Sequence, residues 1–310
     1  MIIKSRGEND ELELFRFLRV RKKLDVEDEN SFAYLEKGWL GEKQFDNLLL
    51  GLPNECLILN NLLLKVNNTL FQIDSLLITQ KKINIFEVKN YEGDYFFRND
   101  RLHMISGKEI KNPHIQITRS ESLFRQLLQE LRFNITVESQ VIFINPEFYL
   151  YEAPVKAPFV FHAQLVRFLK NLDEIVSAST ISGSHMRFAE KLASLHITKN
   201  PYSRLPAYTY EELEKGIVCR GGCGCLDLED TNRHTLICKN CGFVEDKESA
   251  ILRSIEEFRF LFPEKRITVD VIYNWCKVIK SKKVIQKLLS KNFDLVLFGR
   301  GSYYVDKMKR

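Results

Sequence analysis

The stretch I-N-I-F-E-V-K-N, Ile83 to Asn90, constrains this chain more than any other. Its β-branched and aromatic residues favour a strand. Side chains alternate faces along a strand, so Ile85, Glu87 and Lys89 share one face, with Glu87 and Lys89 roughly 6.5 Å apart. A carboxylate and an amine inside an otherwise apolar strand are unfavourable to bury without partners or a task. A second carboxylate of this kind, Asp74 in L-F-Q-I-D-S-L-L-I-T, lies thirteen residues earlier.

The pattern around these residues predicts an ordered set of elements. Asn9 to Lys23 reads as a packing helix, with acids early and Arg/Lys late to suit the helix dipole. Leu24 to Ser31 is acidic and reads as a linker. Phe32 to Leu50 reads as a second helix containing G-W-L-G-E, whose glycines weaken a helix by about 1 kcal/mol each but let another backbone approach. Three strands follow at Cys56–Val66, Thr69–Thr79 and Ile83–Asn90, with a hairpin turn at Asn67-Asn68. A short pair is expected at Asp94–Phe97 and Arg101–Ile105. A long amphipathic helix spans Pro113 to Phe133, and a buried strand spans Ser139–Asn145. This order implies antiparallel strands followed by a helical crossover onto a mixed sheet. Further on, a strand at Phe159–Phe161, helices at Ala163–Leu172 and Ser184–Leu195, a linker at Pro201–Pro206 and a short helix at Thr209–Gly216 are expected.

Asp74, Glu87 and Lys89 form the pattern D-x12-E-x-K. Two carboxylates on adjacent strands can hold a hard divalent cation such as Mg²⁺ through oxygen ligands. Such a cation activates water and neutralises charge on a phosphate, and a lysine beside it can orient the water or stabilise the transition state. On the hairpin reading Gln72 shares a face with Asp74.

These residues resemble the PD-(D/E)xK nuclease superfamily, and residues about 35 to 145 look like its nuclease-related domain (NERD). The matching motifs are G-x-x-G-E at Gly38–Glu42, Q-I-D at Gln72–Asp74, E-V-K-N-Y-x-G at Glu87–Gly93 and N-P-x-x-Q at Asn112–Gln116. The resemblance implies an α/β fold with a restriction-endonuclease-like core of helix, three strands, helix and strand. It implies that Asp74 and Glu87 ligate Mg²⁺ or Mn²⁺ and that Lys89 serves the attacking water. It places Glu42 on a helix near the metal and Gln116 on the second helix, lining the site. The proline usual before the first Asp of the superfamily is absent, with Ile73 in its place. The competing structural reading makes Glu87 and Lys89 an exposed edge-strand ion pair, Glu42 a solvated helix carboxylate and Gln116 a backbone cap.

Five of the seven cysteines fall between Cys219 and Cys241. Cys238 and Cys241 form C-x2-C-G, a turn that presents two thiolates to one zinc. Cys219 pairs with Cys223, whose following glycine repeats the C-G ending, and Cys225 is the alternative to Cys223. Four thiolates make a closed, structural zinc ribbon, with His234 a less favoured ligand. Cys56 and Cys276 lie in apolar runs and read as core thiols.

Charge is uneven. Residues 250–310 hold 14 Lys/Arg against 6 Asp/Glu, a net of +8, which leaves about −3 for the rest of a chain whose net charge is +5. Helices over Lys247–Phe262, Ile267–Cys276 and from Lys282, followed by a hairpin turning at Gly299–Ser302, resemble a winged helix-turn-helix. That resemblance places the helix Lys282–Lys291 in a major groove and Arg300 in the wing. Lys282, Lys283, Lys287, Lys291 and Arg300 would then contact phosphates. The domains expected are 1–31 (N-terminal helix and linker), 32–200 (nuclease-like), 201–246 (zinc ribbon) and 247–310 (winged-helix-like).

The 310 residues, 45% hydrophobic and 28% charged, describe a globular protein of two or three domains. No apolar run reaches the roughly 18 residues of a membrane span, and the N-terminus lacks a signal-peptide core, so a cytoplasmic location is expected. The function expected is metal-dependent hydrolysis of phosphodiester bonds, in DNA first. The alternatives are a non-catalytic nucleic-acid-binding protein that keeps the fold, and a protein-contact adaptor.

Overall fold

The computed structural model describes residues 1–7, 9–198, 205–232, 234–299 and 301–307. The chain divides into two units, Met1–Glu8 with Ala33–Ser203, and Asn9–Phe32 with Arg204–Arg310. The elements begin with β1 (Ile2–Lys4), α1 (Asp10–Arg21) and α2 (Val26–Leu50). The expected linker at 24–31 is therefore mostly helix. Glu27, Asp28 and Glu29 occupy the first turn of α2, where the dipole favours acids, and the Asp25 side chain accepts from the Asp28 N–H.

In the first unit, β2 (Leu57–Val66), β3 (Thr69–Ile78) and β4 (Lys82–Lys89) form an antiparallel meander. Asn67 and Asn68 both take positive φ, as a two-residue hairpin turn between twisted strands requires. Next come β5 (Gly93–Arg98), β6 (Arg101–Met104), β7 (Glu109–Ile110), α3 (Pro113–Glu130) and β8 (Thr136–Phe143). Asn112 caps α3 through the His114 N–H, and Pro113 opens its first turn. β8 lies parallel to β4, so α3 is the crossover between them. The unit ends with β9 (Phe148–Tyr151), β10 (Phe159–Phe161), α4 (Leu165–Ser177) and α5 (Gly183–Ser194). The main sheet runs β1-β2-β3-β4-β8-β10, and a smaller sheet runs β7-β6-β5-β9. The sequence reading missed β1, β7 and β9, which are only two to four residues long.

β4 is central, and Ile83 to Val88 are all buried. Its alternation splits the core. Ile83 and Ile85 join Ile73, Ile117, Phe124 and Phe143 on one face, and Phe86 and Val88 join Phe45, Leu49, Leu77 and Ile142 on the other. The edge-strand reading of Glu87 and Lys89 is thereby excluded.

Gly41 is buried where α2 meets the ends of β4 and β8. A Cβ there would lie 2.6 Å from Asn90 Cβ and 3.1 Å from Ile144 Cγ2. The close approach expected of the G-W-L-G-E glycines occurs at Gly41, whereas Gly38 has open space. Asn90 secures the junction by donating to the Lys37 carbonyl at 2.8 Å and accepting from Asn145 at 3.0 Å. Gly41→Ala is expected to destabilise the unit by about 1–3 kcal/mol, the usual range for overpacking. Urea denaturation measures this, and a change under about 0.5 kcal/mol would show that α2 yields without strain.

In the second unit, β11 (Leu228–Asp230), β12 (Thr235–Cys238) and β13 (Val244–Asp246) form an antiparallel sheet. It is followed by α6 (Lys247–Leu261), α7 (Val269–Cys276), α8 (Lys282–Asn292) and a hairpin of β14 (Phe293–Val296) with β15 (Tyr303–Asp306). The core closes on Trp275, which is fully buried and donates to the Ser254 carbonyl at 3.1 Å. The Arg21 guanidinium lies 3.8 Å from the Trp275 ring centroid and makes a two-point contact with Glu257 at 2.7 and 2.8 Å.

The helix expected at Thr209–Gly216 is instead a run of turns. Its backbone groups are taken by tertiary partners. Arg21 donates to the carbonyls of Glu214 and Gly216, Lys215 donates to those of Tyr210 and Leu213, and the Gly216 N–H donates to the Trp275 carbonyl. Residues 201–204 of the expected linker lie outside the described residues.

Candidate active site and metal centre

The sheet opens where Asp74 sits. The β3–β4 ladder ends at the pair Ser75 with Phe86, and the Val88 N–H donates to Asp74 Oδ2 at 2.9 Å instead of to backbone. Across β2, the regular register runs from Asn60–Ser75 to Leu62–Ile73 and skips Asn61, which takes a φ of +51° opposite Asp74. Irregularities of this kind re-aim side chains. Gln72, two residues along the same face, donates to Asp74 Oδ1 at 3.4 Å.

Glu87 lies on the face of β4 that meets α3. Its Oε1 accepts from Lys89 Nζ at 2.6 Å and from Gln116 Nε2, and Lys89 also donates to Gln116 Oε1 at 3.3 Å. A strand spacing of two and one helical residue thus close a triangle of carboxylate, amine and amide. Burial and the nearby Asp74 carboxylate push Glu87 up to about 7, against the pull of Lys89. Burial alone would lower Lys89, but Glu87 and Asp74 outweigh it and hold the amine firmly protonated.

Glu42, on α2, is turned toward the same region by a residue that the sequence did not single out. Arg6, almost wholly buried, donates to Glu42 at 2.7 Å, to Asp46 at 2.8 and 3.0 Å, and to the Asp74 carbonyl at 2.7 Å. Burial and repulsion from Asp74 raise Glu42 to about 8 in spite of Arg6. No local signal marks Arg6 or Asp46, because Arg6 is 68 residues from the strand position it contacts.

Arg6→Ala is expected to destabilise the chain by about 3–5 kcal/mol near pH 9, where Glu42 is ionised, since it strands buried carboxylates. A carboxylate raised in the folded state stabilises fully below its ordinary 4.5, and that contribution is lost as pH rises through about 8. Protonating Glu42 removes one of the stranded charges, so the penalty should shrink as pH falls from about 9 to about 7, through its raised value. Denaturation at both pH values tests this, and a pH-independent loss under 1 kcal/mol would contradict it.

The excess of buried negative charge is what a divalent cation would relieve, so Asp74 and Glu87 fit such an ion. Mg²⁺ commonly uses one or two carboxylates and keeps its remaining waters. Glu42, Asp74 and Glu87 do not converge on one point. Among the described residues, the only set of three or more ligand atoms lying within 4.8 Å of one another is Cys219, Cys223, Cys238 and Cys241.

That cysteine cluster could hold a zinc ion. Cys219 and Cys241 Sγ are 3.6 Å apart, as are those of Cys223 and Cys238. Such spacings suit a tetrahedron with metal–sulfur bonds of about 2.3 Å. Gly222, Gly224 and Gly242 take positive φ in the turns, and Gly221 lies so close to Phe243 that a Cβ would be 2.6 Å from it. Backbone donors lower Cys223 to about 6 and lower Cys238 too, favouring thiolates at these two, whereas burial raises Cys219 and, against a backbone donor, the neighbouring thiols raise Cys241. Cys225 Sγ stands 3.4 Å from Cys223 and 3.3 Å from Cys238 but is not one of the four, nor is His234.

Residues 37–144 match the family model of the nuclease-related domain. The match covers α2 from Lys37, the meander, α3 and β8, and therefore Glu42, Asp74, Glu87, Lys89 and Gln116. It ties the segment to nuclease-related function and to nucleic acid. Arg6, which holds Glu42, lies outside the segment that matches the nuclease-related domain. No curated protein and no solved structure matches the chain.

Lys282, Lys283, Lys287 and Lys291 are exposed on α8, opposite its buried Ile285, Leu288 and Leu289. Lys282 pairs with Asp270 and Lys291 with Glu248, while Lys283 and Lys287 make no ion pair among the described residues. Arg300 lies outside the described residues. Among the described residues, no helix is long and apolar enough to cross a membrane.

Proposed function

We propose that this protein is a divalent-metal-dependent nuclease, acting on DNA first, with Asp74, Glu87 and Lys89 as its catalytic core. The observation that carries the reading is the buried contact of Glu87 with both Lys89 and Gln116, beside Asp74 at the opening between β3 and β4. Mg²⁺ or Mn²⁺ held by Asp74 and Glu87 would supply Lewis acidity and a nucleophile at neutral pH. Lys89 is protonated, so its part is to attract the attacking water and the charge building on the phosphate, more than to remove a proton. Gln116 fixes Glu87 and Lys89 in one arrangement. Glu42, held by Arg6, presents a further carboxylate toward the site.

Cys219, Cys223, Cys238 and Cys241 would hold a structural Zn²⁺ in a ribbon formed with β11, β12 and β13. The helices α6, α7 and α8 with the β14–β15 hairpin follow the order of a winged helix-turn-helix. There Lys282, Lys283, Lys287 and Lys291 would meet phosphates. Lys283 and Lys287, without ion pairs among the described residues, are the better placed of the four. These assignments give the nuclease unit its own delivery module for nucleic acid.

The test is incubation of purified protein with plasmid, single-stranded DNA and RNA, with Mg²⁺, Mn²⁺ or EDTA. Metal-dependent cleavage that tracks the protein through purification is expected. Salt-sensitive binding without cleavage would instead establish the non-catalytic binder, and absence of both would leave the adaptor.

A further inference from the structure

Beside the carboxylates runs a groove that the catalytic residues do not account for. It encloses about 580 Å³ between the β2–β3 hairpin and the first turns of α3. Pockets for small organic groups have about 300–1,000 Å³. Leu63, Leu70, Phe71 and Ile115, the last 64% exposed, give it an apolar part among polar side chains. Two exposed cations, Lys111 and Arg119, line it, and neither makes an ion pair among the described residues. The first turn of α3 carries no acid. Its lining also includes Gln72, which touches Asp74, and Gln116, which touches Glu87 and Lys89.

We propose that this groove holds an unpaired stretch of nucleic acid next to the reacting phosphodiester, with Lys111 and Arg119 on its phosphates and a base against Leu70, Phe71 and Ile115. The proposal rests on the nuclease reading for the identity of the polyanion and goes beyond it in the strandedness of the substrate. Cations without carboxylate partners at the rim suit a phosphate backbone. The apolar part, with the Phe71 ring in it, suits a free base, which brings a π-face. A base pair within a duplex has its faces covered by its neighbours and offers no such surface. The field of Lys111 also reaches Glu87, which puts the rim cation and the carboxylate in one electrostatic neighbourhood. The unit that cuts would therefore select single strands or frayed ends by itself, independently of the basic C-terminal residues.

The experiment is fluorescence anisotropy of the full chain with a short labelled oligothymidine, in Ca²⁺ to hold cleavage back, across a salt series and against the same sequence as a duplex. Because α8 would offer duplex phosphates a separate site, the groove is read as single-strand affinity that K111Q/R119Q loses while its duplex affinity is kept. K111Q/R119Q should bind the single strand about tenfold or more weakly. Its slope of log affinity against log salt should be shallower by about 0.7 for each single-strand phosphate that the variant no longer neutralises. Ile115→Asp should weaken binding too, while Lys111→Arg should restore it. All three side chains are exposed, so the melting temperature should not move. The proposal is overturned if wild type does not bind the single strand, if K111Q/R119Q loses as much duplex affinity as single-strand affinity, or if K111Q/R119Q keeps wild-type single-strand affinity and slope. Loss of binding in K111Q/R119Q with no cleavage by wild type would keep the groove and remove the nuclease. Cleavage with unaltered K111Q/R119Q binding would do the reverse.

Discussion

Asp74→Asn and Lys89→Met should each reduce metal-dependent cleavage by about 10²–10³-fold or more, while nucleic-acid affinity in Ca²⁺ changes only a few-fold. The range is what loss of one preorganised charge at a reacting centre typically brings. The two substitutions should fail in different ways. Asp74→Asn removes a metal ligand and also alters the acceptor of the Val88 N–H, so Mn²⁺ binding should weaken together with rate. Lys89→Met removes the charge beside Glu87 and leaves both proposed ligands in place, so Mn²⁺ binding should persist or strengthen while rate is lost. Calorimetry with Mn²⁺, paired with single-turnover cleavage, separates them. The pH dependence adds a third check. Glu87 titrates near 7 in the free protein, held there by burial and Asp74. Below that value it carries a proton and ligates poorly, so Mn²⁺ affinity should rise as pH increases through about 7. Equal cleavage by wild type and both variants would remove Asp74 and Lys89 from the chemistry.

Cys238→Ser, or zinc withdrawal with a strong chelator, should unfold the part of the second unit built on the β11–β13 sheet. Binding of structural zinc is worth about 10–16 kcal/mol in small zinc-dependent folds at neutral pH. Few alternatives hold this part together: β11 and β13 are three residues each, and Cys238 itself ends β12. Metal analysis should find one zinc per wild-type chain, and limited proteolysis should find new cuts between 219 and 246 once it is gone. Cys225→Ser should keep the zinc, since Cys225 is not one of the four converging thiols. A wild-type chain that is folded and free of zinc would overturn the assignment, and zinc lost from Cys225→Ser but kept in Cys223→Ser would exchange the two ligands.

The elements that the sequence announced most clearly are those with strong local causes. The Asn67-Asn68 hairpin has a turn that demands positive φ, α3 has a cap, a proline and an apolar stripe, and β4 has alternating branched residues. The elements that were missed or mistaken have causes elsewhere in the chain. β1 is three residues long and exists through pairing with β2. Residues 209–216 are turned away from helix by Arg21, Lys215 and the Trp275 carbonyl, partners that no local window contains.

The same division holds for the candidate site. Sequence alone determined which groups would lie together, because D-x12-E-x-K on adjacent strands and Gln116 on the next helix put side chains at fixed periodic positions. It also determined that the cysteines between 219 and 241 converge. Only the tertiary structure decided that Glu87 and Lys89 lie in a central buried strand, that Arg6 holds Glu42 and Asp46 in place, and that Lys111 and Arg119 border a groove at the carboxylates. The reason is physical. Strand and helix periodicities act over a few residues, whereas burial, charge pairing and cavities arise where segments 40 to 70 residues apart are brought together, as Arg6 is with Asp46 and Asp74.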